Sequence, residues 1–202
     1  MRSLLFNDND INTIKFNKIL FFFAEYIISP KSVSLGRFEN KKVGFKGNKA
    51  IAHLHPKYFT PDETILKKYN LIENEYGIIR LSRINATHDY GNKGITDADL
   101  KELFDLCIKN TNVLISSERS VNSDYSKYLY SGIPNDFSHI VYFAKYLIGD
   151  SSTIASEASI LGVPNILINR LGKLCSVNKE LFNFELQYYY DNYSEAKPKI
   201  QE

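Results

Sequence analysis

The residues best suited to chemistry stand between Gly149 and Glu157, in the run Gly-Asp-Ser-Ser-Thr-Ile-Ala-Ser-Glu. Small polar residues that favour turns and helix N-caps follow the glycine: Asp150, Ser151, Ser152 and Thr153. Unpaired N–H groups and the helix dipole favour an anion at a helix start, so this loop could hold a diphosphate. Glu157, one turn further on, could accept hydrogen bonds from a ribose diol. The alternative is a structural helix with a good cap.

The surrounding pattern predicts a strand, a tight loop, a helix and a second strand. Residues 146–148 are a short apolar run, and the helix over residues 154–161 has its apolar positions at helical spacing. Gly162 suits the position after a helix, and Pro164 prevents its continuation. Residues 165–168 form the next strand. Such a unit makes parallel strands, and its loop lies at the carboxyl edge where α/β sheets bind ligands.

A second group of candidates lies in the strand predicted over residues 76–84 and in the loop after it. Arg80, Arg83 and Lys93 could contact phosphate, and Gly94 closes the loop. His88 beside Asp89 could act as a general acid or base, because a carboxylate orients an imidazole that titrates near neutrality. Ser117 and Glu118, at the end of the strand over residues 112–118, are candidate rim residues. The alternative is a solvated loop with incidental charges.

Both motifs resemble those of the DUF354 family, whose members are GT-B-like proteins related to UDP-N-acetylglucosamine 2-epimerases and nucleotide-sugar glycosyltransferases. The family pattern Arg…Ala-x-His-Asp-x-Gly-x-x-Gly matches residues 83–94. The epimerase motif Asp-Ser-Gly-Gly-x-x-Glu-Glu-Ala matches residues 150–158, with Ser152 and Thr153 in place of the glycines and Ser156 in place of the first glutamate. By this resemblance, Ser151 faces phosphate and Glu157 faces ribose.

The resemblance implies an α/β fold with a Rossmann-like parallel sheet, the C-terminal half of a GT-B architecture. We expect residues 1–48 to be a remnant of the N-terminal domain plus a linker, and residues 49–202 to be the nucleotide-sugar-binding domain. The first part has predicted strands over residues 3–6 and 26–29, a helix over 11–24 and an edge strand over 42–45. Because so few elements cannot cover both faces of a sheet, we expect a partner chain or homo-oligomer to cover residues 11–28.

The function implied is binding of a nucleotide-sugar, with a UDP-sugar as the first choice, in surface polysaccharide biosynthesis. An active protein would be a glycosyltransferase or a 2-epimerase-like enzyme, with the leaving diphosphate stabilised electrostatically by Arg80, Lys93 and the helix start. No cofactor or metal is expected, because His53 and His55 lack an evident carboxylate or cysteine ligand beside them. The alternative is a non-catalytic truncated remnant or a partner-dependent subunit.

The composition excludes several other classes. The 202 residues are 44% hydrophobic and 24% charged, which is typical of a globular chain. A net charge of +2 is too small to indicate nucleic-acid binding. No apolar run reaches the length of a membrane span, and Asn7-Asp8-Asn9-Asp10 stands where a signal peptide needs its apolar core, so we expect a cytoplasmic protein. Cys107 and Cys175 are expected to be unpaired thiols.

Two further expectations concern helix ends. Asp136 is predicted to cap a helix over residues 137–144, and the charged chain after Ser194 is predicted to fray.

Overall fold

A computed structural model describes residues 3–13, 17–83 and 94–202. Two parallel sheets with helices packed against them form the fold, which confirms the predicted α/β class. The first sheet has the order β1-β2-β3, from strands β1 (Leu4–Phe6), β2 (Tyr26–Pro30) and β3 (Lys42–Phe45). The second has the order β5-β4-β6-β7-β8, from strands β4 (Tyr76–Leu81), β5 (Asn112–Ser117), β6 (Tyr146–Gly149), β7 (Asn165–Ile168) and β8 (Gln187–Tyr190). In the sequence, the strands of the first sheet precede residues 48 and 49, and those of the second sheet follow them. A domain boundary at these residues stays a prediction.

The α-helices of the described residues are numbered in chain order. They are α1 (Asn17–Phe23), α2 (Ile51–Leu54), α3 (Thr64–Lys68), α4 (Asp97–Cys107), α5 (Pro134–Tyr142), α6 (Ser152–Ile160), α7 (Ser176–Asn183) and α8 (Tyr193–Gln201). Short 3-10 helices occupy Gly36–Lys41, Ser123–Tyr128 and Arg170–Leu174. Residues of α4 and α8 join one core cluster of the second sheet, and residues of α3, α5 and α6 join the other. None of the helices in the described part of the chain is long and apolar enough to cross a membrane.

The strand order of the second sheet creates a crevice. β4 pairs with β5 on one side and with β6 on the other, so the connections after β4 and β6 leave in opposite directions. At such a switch point, the carboxyl ends of parallel strands leave room for a ligand. The two strands also approach closely there, because a Cβ atom on Gly149 would lie 2.5 Å from the carbonyl oxygen of Arg80.

Local patterns predicted the central elements well. The described helix α4 buries Leu100, Leu103, Phe104 and Cys107, which stand three or four residues apart on one face. Gly162 has φ +79°, and its N–H bonds to the carbonyl oxygen of Ser159 at the end of α6. The predicted edge strand over residues 42–45 is confirmed as β3.

Three local predictions were wrong. Of the helix predicted over residues 11–24, residues 11–13 form a turn instead, because the Ile11 N–H bonds to the Ser34 carbonyl oxygen, and α1 is described over Asn17–Phe23. Asp136 does not cap α5: Ile133 is the N-cap residue, and the Asp136 carboxylate accepts hydrogen bonds from Lys68 Nζ at 2.7 Å and Tyr69 Oη at 2.6 Å. The chain after Ser194 continues as α8, which is held by the burial of Tyr193 and Ala196.

The candidate functional site

A cleft of about 390 Å³ opens at the carboxyl edge of the second sheet, where the first sheet's loops face it. Sequence-predicted residues that line it are Arg83, Asp150, Ser151, Ser152 and Thr153. Residues that sequence reasoning missed are Asp8, Asn9, Thr13, Asn48, Lys49, Ser82, Ser156, Asn169, Cys175, Val177 and Asn178. The cleft therefore has one wall from each sheet.

The beginning of α6 forms the centre of one wall. Ser151 is its N-cap residue, with extended backbone angles, and its side chain makes no capping hydrogen bond within the described chain. The first N–H groups of a helix have no intrahelical partner, so an anion in the cleft would meet them together with the helix dipole. Ser156 lies one turn beyond Ser152, on the same face, and adds a hydroxyl to this wall.

Asp150 lies deep in the cleft wall, with 1% of its surface exposed. One carboxylate oxygen accepts the N–H of Ser82 at 2.6 Å, and the other accepts the N–H of Ile95 at 3.2 Å. Its carbonyl oxygen accepts Nδ2 of Asn169 at 2.9 Å. Burial raises the pKa of the Asp150 carboxyl, against the opposing effects of the Ser82 and Ile95 amides and the Arg119 charge.

Glu157 stands beside the cleft and does not line it. Its Oε1 atom lies 3.6 Å from Nε2 of His53, which α2 supplies. Burial raises the pKa of the Glu157 carboxyl, and the charges of His53, Lys49 and Arg80 oppose that rise. The carboxylate thus has a basic neighbourhood formed by both parts of the chain.

Arg80 and Glu118 pair with each other behind the cleft. Arg80 Nη1 donates to Oγ of Ser116 at 2.7 Å, and Nη2 donates to Oε1 of Glu118. Glu118 Oε2 also accepts the N–H of Arg83 at 3.2 Å. Ser117 Oγ donates to the carbonyl oxygen of Arg119 at 2.7 Å. The pairing leaves the exposed Arg83 as the arginine that lines the cleft among the described residues.

The remaining sequence candidates lie in or beside the loop after β4. Gly94 is buried next to the start of α4 and does not line the cleft. His88, Asp89 and Lys93 lie outside the described residues. Their predicted roles stay predictions.

The opposite wall comes from the polar loop after β1. Asp8 Oδ2 pairs with Lys49 Nζ at 2.6 Å, so these two charges partly neutralise each other at the cleft. A signal for this wall was present in the sequence: a polar run follows an apolar strand, and in a parallel sheet that position lies at the carboxyl edge. What the sequence did not indicate is that this edge faces the edge of the second sheet.

A second helix start reaches the cleft but is already occupied. Asp10 Oδ2 accepts the N–H of Ser176, the first residue of α7, at 2.7 Å. Neighbouring Cys175 lines the cleft, and burial, followed by the charges of Asp10 and Asp8, raises the pKa of its thiol to about 11. This thiol is protonated at neutral pH and is a poor nucleophile.

Metal ligands do not cluster in the described ranges: no group of three or more His, Cys, Asp or Glu side chains there is arranged to hold an ion. The described residues that line the cleft supply hydroxyls, amides, the Cys175 thiol, the charges of Arg83 and Lys49, and the carboxylates of Asp8 and Asp150.

Solved structures share this arrangement of sheets. A UDP-GlcNAc 2-epimerase from Methanocaldococcus jannaschii, solved in complex with UDP-GlcNAc and UDP, is 16% identical with a TM-score of 0.59; the match covers 89% of this chain and 55% of that one. The wall teichoic acid polymerase TagF is 16% identical with a TM-score of 0.53, over 92% of this chain and 51% of that one. Staphylococcus aureus MnaA, solved with UDP, is 17% identical with a TM-score of 0.52, over 75% and 45%. No curated protein was found to match the chain.

The fold defines the class: an α/β protein of the GT-B type, spanning about half the length of the solved structures that it matches. The family model described as protein of unknown function DUF354 matches residues 2–196. The chain belongs to the DUF354 family.

Proposed function

We propose that this protein binds a nucleotide-sugar, with the diphosphate at the start of α6 and a UDP-sugar as the first choice. The observation that carries the proposal is the cleft at the switch point between β4 and β6, into which the uncapped first turn of α6 opens. Ser151 keeps the serine of the related epimerase motif, and Ser152 and Thr153 supply hydroxyls where that motif has two glycines. Side-chain hydroxyls and the first-turn amides together suit the non-bridging oxygens of a diphosphate.

The charges around the cleft favour this placement over the neighbouring helix start. The exposed residue Arg83 lines the cleft, and Lys49, paired with Asp8, stands on the opposite wall. The start of α7 already holds the Asp10 carboxylate, which would repel a phosphate. The start of α6 is thus the better anion site of the two.

The ribose is assigned to Glu157, which lies on the same helix at the side of the cleft. A ribose diol can donate hydrogen bonds from both of its hydroxyls to one carboxylate. Glu157, whose Oε1 lies 3.6 Å from Nε2 of His53, supplies such a carboxylate in a basic environment. Arg80 sits within the same electrostatic neighbourhood and tunes that carboxylate instead of facing the cleft.

The reaction that fits such a ligand is glycosyl transfer or 2-epimerisation, in surface polysaccharide biosynthesis in the cytoplasm. Either one needs the leaving diphosphate to be stabilised, which Arg83, Lys49 and the α6 dipole would provide without a metal. Lys93 would add a charge, and His88 with Asp89 would supply acid–base chemistry.

Thermal unfolding against a panel of UDP, GDP, CMP and dTDP sugars tests the proposal. A ligand at one hundred times its Kd adds about 2.7 kcal/mol of stability. We expect a rise with one nucleotide family, reduced in Ser152→Ala and Arg83→Ala. The matched controls are Ser126→Ala and Lys109→Ala, which remove exposed side chains that do not line the cleft. No rise with any ligand, from a folded protein, would contradict the proposal.

One observation favours a second candidate, a partner-dependent or non-catalytic subunit. The first sheet leaves a row of apolar side chains exposed on its strands, including Leu4 (68%), Phe6 (53%) and Val43 (50%). Parallel sheets are normally covered on both faces. Light scattering shows whether a partner protein binds this face, and nucleotide binding is then measured for the chain alone and for the complex. Nucleotide binding by the complex alone supports the partner-dependent subunit.

A further inference from the structure

We propose that Asp150 is a positioning residue, which holds the backbone on both sides of the loop after β4 and does not contact the ligand. The proposal refines the proposed function, because it concerns the wall of the same cleft. It rests on hydrogen-bond geometry in the described residues.

The Asp150 carboxylate connects two segments that are separate in the sequence. Its two oxygens accept one backbone N–H each, from Ser82 at 2.6 Å and from Ile95 at 3.2 Å. Its own main chain is held by the 2.9 Å bond from Asn169 Nδ2 and by its N–H, which bonds to the Arg80 carbonyl oxygen at 3.1 Å. The carboxylate is therefore a fixed point at the end of β6.

The segment around Ile95 is held from its other side as well. The Ile95 carbonyl oxygen accepts a hydrogen bond from Nη2 of Arg119. Arg119 Nη1 also lies 3.6 Å from Oδ1 of Asp97, in the first turn of α4. The peptide groups on both sides of Ile95 thus have charged partners, which fix where this segment joins the cleft wall.

The segment around Ser82 is held in a similar way. Asp150 takes the N–H of Ser82, and Glu118 takes the N–H of Arg83. Carboxylates from the ends of β6 and β5 thus bind successive amides at the end of β4, the strand between them. This arrangement directs the Arg83 side chain to the cleft, where the proposed diphosphate would need it.

Direct contact between Asp150 and a diphosphate is disfavoured. The side chain is almost completely buried, and both oxygens already have donors. A buried carboxylate facing a phosphate would also add like-charge repulsion in a medium that screens charge weakly. Asp150 therefore acts through Ser82, Arg83 and Ile95.

The experiment compares Asp150→Asn with wild type by amide hydrogen exchange and by UDP titration. Asparagine keeps the size but has one acceptor oxygen, so one of the two amides loses its partner. We expect exchange at Ser82 or Ile95 to rise at least about tenfold, with Ile79 in β4 unchanged, and the Kd for UDP to rise about tenfold. Asp105→Asn, an exposed carboxylate that pairs with Lys101, is the control and should change neither quantity.

The two readouts separate positioning from ligand contact. Ser152→Ala should weaken UDP binding without changing exchange at Ser82 or Ile95. If Asp150→Asn weakens UDP binding while both amides stay protected, Asp150 contacts the ligand and the inference is overturned. Faster exchange with unchanged UDP affinity would overturn it too.

The wild-type protein covers the case in which Asp150→Asn does not fold. The amides of Ser82 and Ile95 should exchange slowly there because each has the Asp150 carboxylate as its acceptor; exchange of both at the rate of an unbonded amide would overturn the inference. If wild type binds no UDP, the proposed function fails separately, and the exchange measurements still decide whether Asp150 holds these two amides.

Discussion

The carboxylate of Asp10 accepts two hydrogen bonds from Ser176, one from its N–H at 2.7 Å and one from its hydroxyl at 2.9 Å. The same carboxylate accepts the N–H of Ser34 at 2.7 Å. One side chain thus joins the loop after β1, the loop before β3 and the start of α7. This contact holds together the two walls of the cleft and gives α7 the anion that α6 lacks.

Replacing Asp10 should loosen that junction. We expect Asp10→Ala to lower the free energy of unfolding by about 3 kcal/mol, because hydrogen bonds to a buried charged group are lost and backbone donors stay unpaired. Urea denaturation measures it. Asp8→Ala is the control: it breaks a partly exposed ion pair with Lys49, which is worth at most about 1 kcal/mol. Equal effects of the two variants would show that Asp10 does not join the walls.

Glu157 should make stability depend on pH. Burial raises its pKa above the ordinary 4.5, so folding favours the protonated carboxyl. The sign follows from linkage: wild type loses stability as the pH rises from 4.5 through the folded pKa. Glu157→Gln, which stays neutral, should therefore be more stable than wild type at pH 8, with the difference vanishing towards pH 4.

Thermal unfolding of both proteins between pH 4 and pH 8 checks this expectation. If the variant is less stable at pH 8, the attraction of His53, Lys49 and Arg80 outweighs burial. In the same series, Glu157→Gln should weaken UDP-sugar binding if the carboxylate holds the ribose. A gain in stability accompanied by a loss of binding would be the mark of a site residue.

The approach of β4 to β6 makes Gly149 hard to replace. A Cβ atom at this position would lie 2.5 Å from a backbone oxygen, which cannot move like the end of a side chain. We expect Gly149→Ala to destabilise the protein by about 2 kcal/mol and to displace the loop that starts with Asp150. Chemical denaturation and near-UV circular dichroism report the two effects. An alanine variant with wild-type stability would contradict the observed strand spacing.

The aromatic residues of α1 allow a test of the expectation that a partner or a second copy of the chain covers residues 11–28. Phe22 and Phe23 are 66% and 75% exposed, whereas Phe21 is fully buried. We expect the double variant Phe22→Ser with Phe23→Ser to reduce self-association in light scattering at little cost in stability. Phe21→Ala, the buried comparison, should cost about 3–5 kcal/mol. Unchanged self-association in the double variant would exclude this end of α1 from the contact.

The sequence predicts features that depend on neighbouring residues. β6, α6 and β7 follow from apolar runs, capping residues and the glycine–proline stop, and the structure confirms them. Errors arose where distant packing decides. The turn at residues 11–13 depends on the bond from the Ile11 N–H to Ser34, and the position of Asp136 depends on Lys68 and Tyr69, all of them distant partners in the sequence.

The candidate site shows the same division. The wall formed by Ser151, Ser152 and Thr153 could be predicted, because a strand–loop–helix unit places these residues at a known edge. The wall containing Lys49 and Asn48 could not, since it depends on how the two sheets meet. Arg80 is a phosphate candidate by sequence, but its pairing with Glu118 becomes evident only when β4 and β5 lie side by side.

The most direct test of the central claim is a titration of the ¹⁵N-labelled protein with UDP, followed by amide chemical shifts. We predict that the largest shifts occur at Ser152, Thr153 and Ile154, in the first turn of α6, and that they are lost in Ser152→Ala but kept in Ser126→Ala. Saturable shifts concentrated elsewhere, or no shifts at millimolar UDP, would contradict a diphosphate site at the start of α6.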